Sequence, residues 1–353
     1  MILLDAAPVY RLMGLMAAAS FLCIASGCST VGDRLICRTL IDPPYETTPA
    51  AAQLHQTLTV VDLHADTLLW NRDLLQRASR GHVDLPRLTE GNVAFQVFGV
   101  VTGIPFPLGM DNNRDGYDIT GLLASWQGWP PETHDSRLQR ALFQAEKLDD
   151  RVRASNDALR LISNRHDLEA VLEARKRGGK VIGAMLSLEG THALEGDPAN
   201  FERLFDAGFR IIGLVHLFDN DMAGSVHGQQ KHGLTAKGRD LIQRVINREA
   251  IIDLAHASPE TISDVLAMVD RPVMASHGGV RGTCDSVRNL ADEHIRAIAA
   301  TEGVIGIGLY EYATCGKTLE DTVRAMRYVA DLVGVEHVAL GSDFDGSAAF
   351  INV

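Results

Sequence analysis

Val60-Val61-Asp62-Leu63-His64-Ala65-Asp66-Thr67 starts as a β-branched apolar run and ends in a histidine and an aspartate two positions apart. The run reads as a strand, and side chains at i and i+2 of a strand leave on the same side. His64 and Asp66 therefore offer an imidazole and a carboxylate to one cation.

Comparable short apolar runs recur at Thr59–Asp62, Val93–Val101, Val181–Leu188, Arg210–Val215, Ile251–Leu254, Pro272–Ala275, Val304–Leu309 and His337–Gly341. Helix-compatible stretches separate most of them: Ser136–Ser163, Arg165–Arg177, Asn200–Ala207, Thr235–Glu249, Pro259–Val269, Asp292–Thr301 and Leu319–Val333. Strands alternating with helices pair in parallel, because each crossover needs its own helix. Eight such strands predict a closed (β/α)8 barrel of the TIM type. Gly103–Gly116 reads as a loop inserted in the second crossover. The chain stops at Val353, soon after the eighth run, so the expected barrel lacks its last helix at the C-terminus.

The polar residues follow the strands. His64 and Asp66 end the first, Glu189 the third, His216 the fourth, His256 the fifth, His277 the sixth and Asp343 the eighth. Barrel enzymes build their sites at the C-terminal ends of strands, so these residues converge in space. Imidazoles and carboxylates without thiolates suit zinc or a similar divalent ion held for catalysis. A carboxylate such as Glu189 can bridge two ions, which points to metal-assisted hydrolysis. The remaining histidines, at 55, 82, 134, 166, 192, 227, 232, 294 and 337, fall in loops, helices or strand beginnings and read as structural. His192, three residues beyond Glu189, is the one nearest to the strand-end pattern.

A formal net charge of −12 with no basic cluster argues against nucleic acid as a partner. Leu12–Ser26 carries no charge, follows Arg11 and closes on Ala25-Ser26-Gly27-Cys28-Ser29. That pattern suits a secretory signal and resembles a bacterial lipobox with Cys28 as the lipidated residue. An ordinary cleaved signal is the alternative. The expected organisation is a signal over 1–27, a Pro-containing tether over 28–50 and the barrel over 51–353. This predicts export to the bacterial cell envelope, either lipid-anchored on the periplasmic side or soluble in the periplasm. In an exported chain Cys37, Cys284 and Cys315 permit one disulfide.

Asp62-Leu63-His64-Ala65-Asp66, Asp84-Leu85-Pro86-Arg87-Leu88, Leu188-Glu189-Gly190, Asp253-Leu254-Ala255-His256, Ala275-Ser276-His277, Arg288-Asn289 and Gly341-Ser342-Asp343-Phe344-Asp345-Gly346 form an ordered set. As a set they resemble the membrane dipeptidase (renal dipeptidase) family of zinc peptidases, from about Leu58 to Gly346. The resemblance implies two zinc ions per chain. His64 and Asp66 would hold one, His256 and His277 the other, and Glu189 would bridge them. It further implies that a hydroxide bridging the metals attacks the peptide carbonyl of a dipeptide. Asp343 would move the proton, His216 would steady the oxyanion, and Arg288 would receive the substrate's terminal carboxylate with Tyr312 nearby. The same resemblance pairs Cys284 with Cys315.

The function expected is thus a zinc dipeptidase acting on dipeptides with a free C-terminal carboxylate, D-residues included. A different metal-dependent amidohydrolase, such as an N-acyl-D-amino-acid deacylase, is the nearest rival. An inactive lipid-anchored binding protein is the rival from another class. The partners expected are a small dipeptide, the membrane through the anchor, and a second copy of the chain.

Overall fold

The computed structural model describes Asp33 and residues 46–347. The signal region, Cys28, Cys37, most of the expected tether and residues 348–353 lie outside the described residues. The expectation about a helix after the eighth strand falls there too. Among the described residues no helix is long and apolar enough to cross a membrane.

Eight parallel strands close on themselves. They are β1 (Val60–Ala65), β2 (Val93–Val101), β3 (Ile182–Glu189), β4 (Phe209–Gly213), β5 (Ile251–Asp253), β6 (Met274–Ala275), β7 (Val304–Ile307) and β8 (Val338–Leu340). Each pairs with the next, and closure comes where β8 meets β1, with Asp62 opposite Leu340. The longest ladder joins β2 to β3, running from Phe95 opposite Gly183 to Val101 opposite Glu189. The fold is a (β/α)8 barrel of the TIM type, as the strand rhythm predicts.

Its inner layer is visible in one cluster. Val97, Ile211 and Met274 meet Leu63, Met185, Ile251 and Val304, one residue from each of seven strands. Side chains from all round a closed sheet can meet only inside it. The larger cluster takes the outward residues, such as Phe98, Leu186, Ile212 and Ile305, and packs them under helix residues including Leu148, Leu241, Ile262 and Ile298. That burial stabilises by about 1.5–3 kcal/mol per large side chain relative to leaving it in water.

The covering helices start where the sequence says they should. Ser136, Asn164, Thr235 and Ser258 each accept a backbone N–H of the first turn from Arg137–Ala154, Arg165–Lys176, Ala236–Asn247 and Pro259–Leu266. Such caps contribute about 1 kcal/mol each. Thr318 and Asp321 form a reciprocal capping box ahead of Leu319–Val333.

Two stretches differ from expectation. The single helix expected over Ser136–Ser163 ends at Ala154; Asn156 and Asp157 then turn through left-handed backbone (φ 50° and 69°) into a short strand, Leu159–Leu161. Asn and Asp tolerate that conformation better than other side-chain-bearing residues. The extra strand pairs with the start of β3, Ile182–Ala184, short of Leu186, where pairing with β4 begins opposite Phe209. Within the expected loop Gly103–Gly116, Pro105–Phe106 pairs antiparallel with Tyr117–Asp118 and makes a small hairpin at the barrel mouth.

Candidate metal centre

Glu189 is the last residue of β3 and shares a face with Met185 and Ser187 by strand alternation, which aims it into the barrel. Its two oxygens face different groups. Oε2 lies 3.6 Å from His64 Nε2, while Oε1 lies 3.2 Å from His256 Nε2, 3.6 Å from His277 Nε2 and 3.3 Å from His216 Nε2. His64 Nε2 is also 3.2 Å from Asp66 Oδ1. Three overlapping groups could hold a metal ion: His64 with Glu189 and His277, Glu189 with His216 and His256, and His64 with Asp66 and Asp343.

The backbone sets these positions. Asp62 accepts the Ser342 N–H and hydroxyl and the Gln96 amide, tying the end of β8 and strand β2 to β1. Asp253 does the same between β5 and the residues after β6, accepting the N–H groups of Ala255 and Ser276. Burial pushes both carboxyl groups up, and these donors pull against it. Asp343 adopts left-handed backbone (φ 62°) and donates its N–H to His64 O at 3.1 Å. Space for the first pair is left by Gly99 of β2, where a Cβ would lie 2.5 Å from the His64 ring and 2.6 Å from Asp66 Oδ1.

Electrostatics favour a cation here. Burial pulls the His64 imidazole down, yet Glu189 and Asp66 outweigh it and hold it well above its ordinary value. Asp66 is raised by burial and then by Glu189, and Asp343 is raised well above the usual range by burial and then by Asp66. His256 and His277 are depressed well below the ordinary value, first by burial and then by Arg288 and His64 respectively. His216 is brought to about 3 by burial. Neutral imidazoles with free lone pairs, beside carboxylates that repel one another, are the donor set a divalent ion requires.

The orphaned atoms agree with that reading. Both nitrogens of His64, Asp66 Oδ1, Glu189 Oε2 and His216 Nδ1 are buried without a hydrogen-bond partner. Buried polar atoms are rarely left so; of these, His64 Nε2, Asp66 Oδ1 and Glu189 Oε2 lie together at the centre and fit a metal-holding role.

The other expected residues are distributed as follows. Arg288 is 6% exposed, donates to His277 O at 2.7 Å, and lies close enough to Tyr310 to pull against the rise that burial gives its hydroxyl. Tyr310 is buried and lies within the field of Asp343 and Glu189. Tyr312, the tyrosine expected near the substrate, stands on the one-turn helix Glu311–Thr314 and is 38% exposed. Cys284 and Cys315 are paired, with Cα atoms 5.3 Å apart. His192 is buried, with Nε2 3.0 Å from Thr102 Oγ1 and its ring over Phe218. His227, read as structural, has its Nε2 3.1 Å from His256 Nδ1. His227 ends no strand, so strand-end position gave no signal for it; Tyr310 follows the Val304–Leu309 run at the offset His216 has from β4, and strand-end position was the signal that could have found it.

Comparison with known proteins follows the same line. The sequence profile of the membrane dipeptidase family (peptidase family M19) matches residues 49–352. An uncharacterized protein from the pqqA 5' region of Klebsiella pneumoniae is 33% identical over 201 residues, 53% of this chain and 72% of that protein. An uncharacterized dipeptidase of Schizosaccharomyces pombe is 31% identical over 172 residues, 47% of this chain. The match spans 42% of the length of the fission yeast protein and 41% of dipeptidase aclJ of Aspergillus oryzae, less than half of either. Among solved structures, a metallo peptidase from Rhodobacter sphaeroides, liganded with a phosphinate mimic of the dipeptide L-Ala-D-Ala, superposes with TM-score 0.68 at 22% identity, covering 83% of this chain and 88% of that one. The probable dipeptidase PvdM from Pseudomonas aeruginosa gives TM-score 0.69 at 18% identity, covering 84% and 86%. At those identities the superpositions speak for the barrel alone, whereas the profile covers nearly all of the described residues: the chain belongs to the membrane dipeptidase family.

Proposed function

We propose that the chain is a metal-dependent dipeptidase that holds two zinc ions and hydrolyses dipeptides with a free C-terminal carboxylate, D-residues included. The observation that carries this reading is Glu189, whose two oxygens address His64 on one side and His256 with His277 on the other. His64 and Asp66 would hold one ion, His256 and His277 the second, and Glu189 both. Divalent ions at such a site polarise a carbonyl and lower the pKa of water toward neutrality.

The protein's own groups supply the rest. Arg288 offers a planar guanidinium, fixed by His277 O, to a substrate carboxylate. Asp343, beside His64 and Asp66, is placed to take a proton and later release it to the leaving amine. His216, neutral and facing the same point, is placed to meet the developing oxyanion. A relative bound to a mimic of L-Ala-D-Ala supports a D-residue at the C-terminal position. Export with a lipid at Cys28 belongs to the same proposal, supported by Leu12–Ser26 and the lipobox-like Ala25–Cys28. Loss of acyl labelling in Cys28→Ala tests it.

The main test is a panel of dipeptides, with L- or D-residues and with free or amidated C-termini, assayed alongside metal content. Cleavage of free-carboxylate dipeptides only, with about two zinc ions per chain, is the expected result. Equal rates on blocked substrates would overturn the role of Arg288, and preference for N-acyl-D-amino acids would reassign the activity. Stoichiometry below one zinc without turnover would leave a binding protein.

A further inference from the structure

His227 and His256 are both buried, at 2% and 7% exposure, and their rings lie 5.1 Å apart between centroids. His227 Nδ1 is 2.8 Å from Met110 O, and its Nε2 is 3.1 Å from His256 Nδ1. A carbonyl oxygen only accepts, so His227 carries its proton on Nδ1 and donates it to Met110. A neutral imidazole protonated there has a bare Nε2. That atom must accept, and the donor is His256 Nδ1–H. The proton of His256 is thereby fixed on its outer nitrogen, and its Nε2 lone pair faces Glu189 Oε1 at 3.2 Å.

We propose that His227 is a positioning residue for the metal centre: its Nε2, oriented by the Met110 carbonyl, sets the tautomer and ring orientation of His256. Metal-bound histidines usually direct the outer N–H to a carboxylate, a carbonyl or water. Here a second imidazole takes that place and passes the constraint to a loop carbonyl. The surrounding backbone holds the relay on both sides. Val226 N–H donates to His256 O at 2.8 Å, His227 N–H to Ser225 Oγ at 3.1 Å, and Asn113 N–H to His227 O at 2.9 Å. His277 is oriented by a different device, with Nδ1 2.9 Å from Oγ of Ser276, a residue whose backbone N–H is held by Asp253. The two histidines proposed for one ion are thus tuned separately.

The inference rests on the metal-binding reading, and the test separates the two. Zinc affinity is measured by competition with a chromophoric chelator for the full chain and for His227→Gln, His227→Leu and His227→Met, with thermal unfolding of each metal-free protein. The expected result is a loss of about 10- to 100-fold in affinity for one ion in Leu and Met. Gln, whose amide oxygen can still accept from His256, should stay near wild type. If Leu does not fold, Met against Gln carries the comparison. Wild-type affinity in both apolar variants overturns the inference, and so does an equal loss in Gln, which would mean packing rather than proton placement. A wild-type chain that takes up no zinc sinks the metal reading and this inference with it.

Discussion

His256 Nε2 and His277 Nε2 lie 2.9 Å apart, and both face Glu189 Oε1, at 3.2 and 3.6 Å. With the protons on the outer nitrogens of both rings, as proposed for His256 toward His227 and as Ser276 Oγ allows for His277, the facing atoms are lone pairs directed at one another and at a carboxylate oxygen. That contact is repulsive until a cation is shared among them. Adding zinc should therefore raise the unfolding temperature, by an amount corresponding to about 4 kcal/mol at a free concentration a thousandfold above the dissociation constant. Calorimetry with and without a chelator measures it, and an unchanged transition would contradict the site.

Glu189→Gln should cost both ions at once, because a single side chain serves both groups and the amide carries no charge. Asp66→Asn should cost only the ion shared with His64. Elemental analysis after gel filtration distinguishes them, and equal metal content in the two variants would refute the bridging role.

Asp343→Asn should keep its zinc and lose about 10²- to 10⁴-fold in kcat, the usual worth of a proton-transfer group. Zinc loss in that variant would make Asp343 a ligand, which its proximity to His64 and Asp66 also permits. His216→Ala gives the matching comparison at the other end of Glu189.

Gly99→Ala should disable the first half of the site without replacing a ligand. Its Cβ would fall 2.5 Å from the His64 ring, well inside van der Waals contact, on a buried strand with little room to shift. Zinc titration of this variant should show the ion of His64 and Asp66 weakened and the other retained.

Asp345→Asn tests stability instead of chemistry. Asp345 is fully buried and accepts from the Thr67 hydroxyl at 2.8 Å, the His82 N–H at 2.9 Å and the Arg72 guanidinium at 2.8 Å. Burial alone would raise its pKa, but His82 and Arg72 prevail and hold it below the usual carboxylate range. A depressed folded-state pKa contributes stability that is present above the unfolded value of about 3.9 and lost as pH falls through the folded one. The variant should lose about 3–5 kcal/mol at neutral pH, the cost of breaking a buried pair, and should show a flatter decline below pH ~4. Chemical denaturation across pH gives both numbers.

The barrel was legible because its strands are β-branched runs separated by capped helices, and both signals are local. The ligand candidates were legible for a geometric reason: His64, Glu189, His256 and His277 stand at strand ends, where topology alone makes distant residues meet. What escaped was whatever depends on side-chain direction within loops. His227 lies in the long segment after β4, and only the fold of Ser225–Gly228 against His256 brings its ring to the centre. Tyr310 and Tyr312 are two positions apart, and the turn between β7 and the Glu311–Thr314 helix decides which of them is buried. The Leu159–Leu161 strand was hidden by its neighbours, since a left-handed pair such as Asn156-Asp157 also fits a helix end or a loop.

The seam between β1 and β8 has a consequence for how the molecule is made. Asp62 holds Ser342 across 280 residues of chain, Asp343 N–H is bound to His64 O, and Asp66 N–H to Phe344 O. On the ribosome, His64 and Asp66 emerge long before the strand that frames them. Until β8 docks, that pair has its donors but no fixed geometry, and the edge of β1 stays open. The frame around His64 and Asp66 is therefore complete only once β8 has been made and docked against β1.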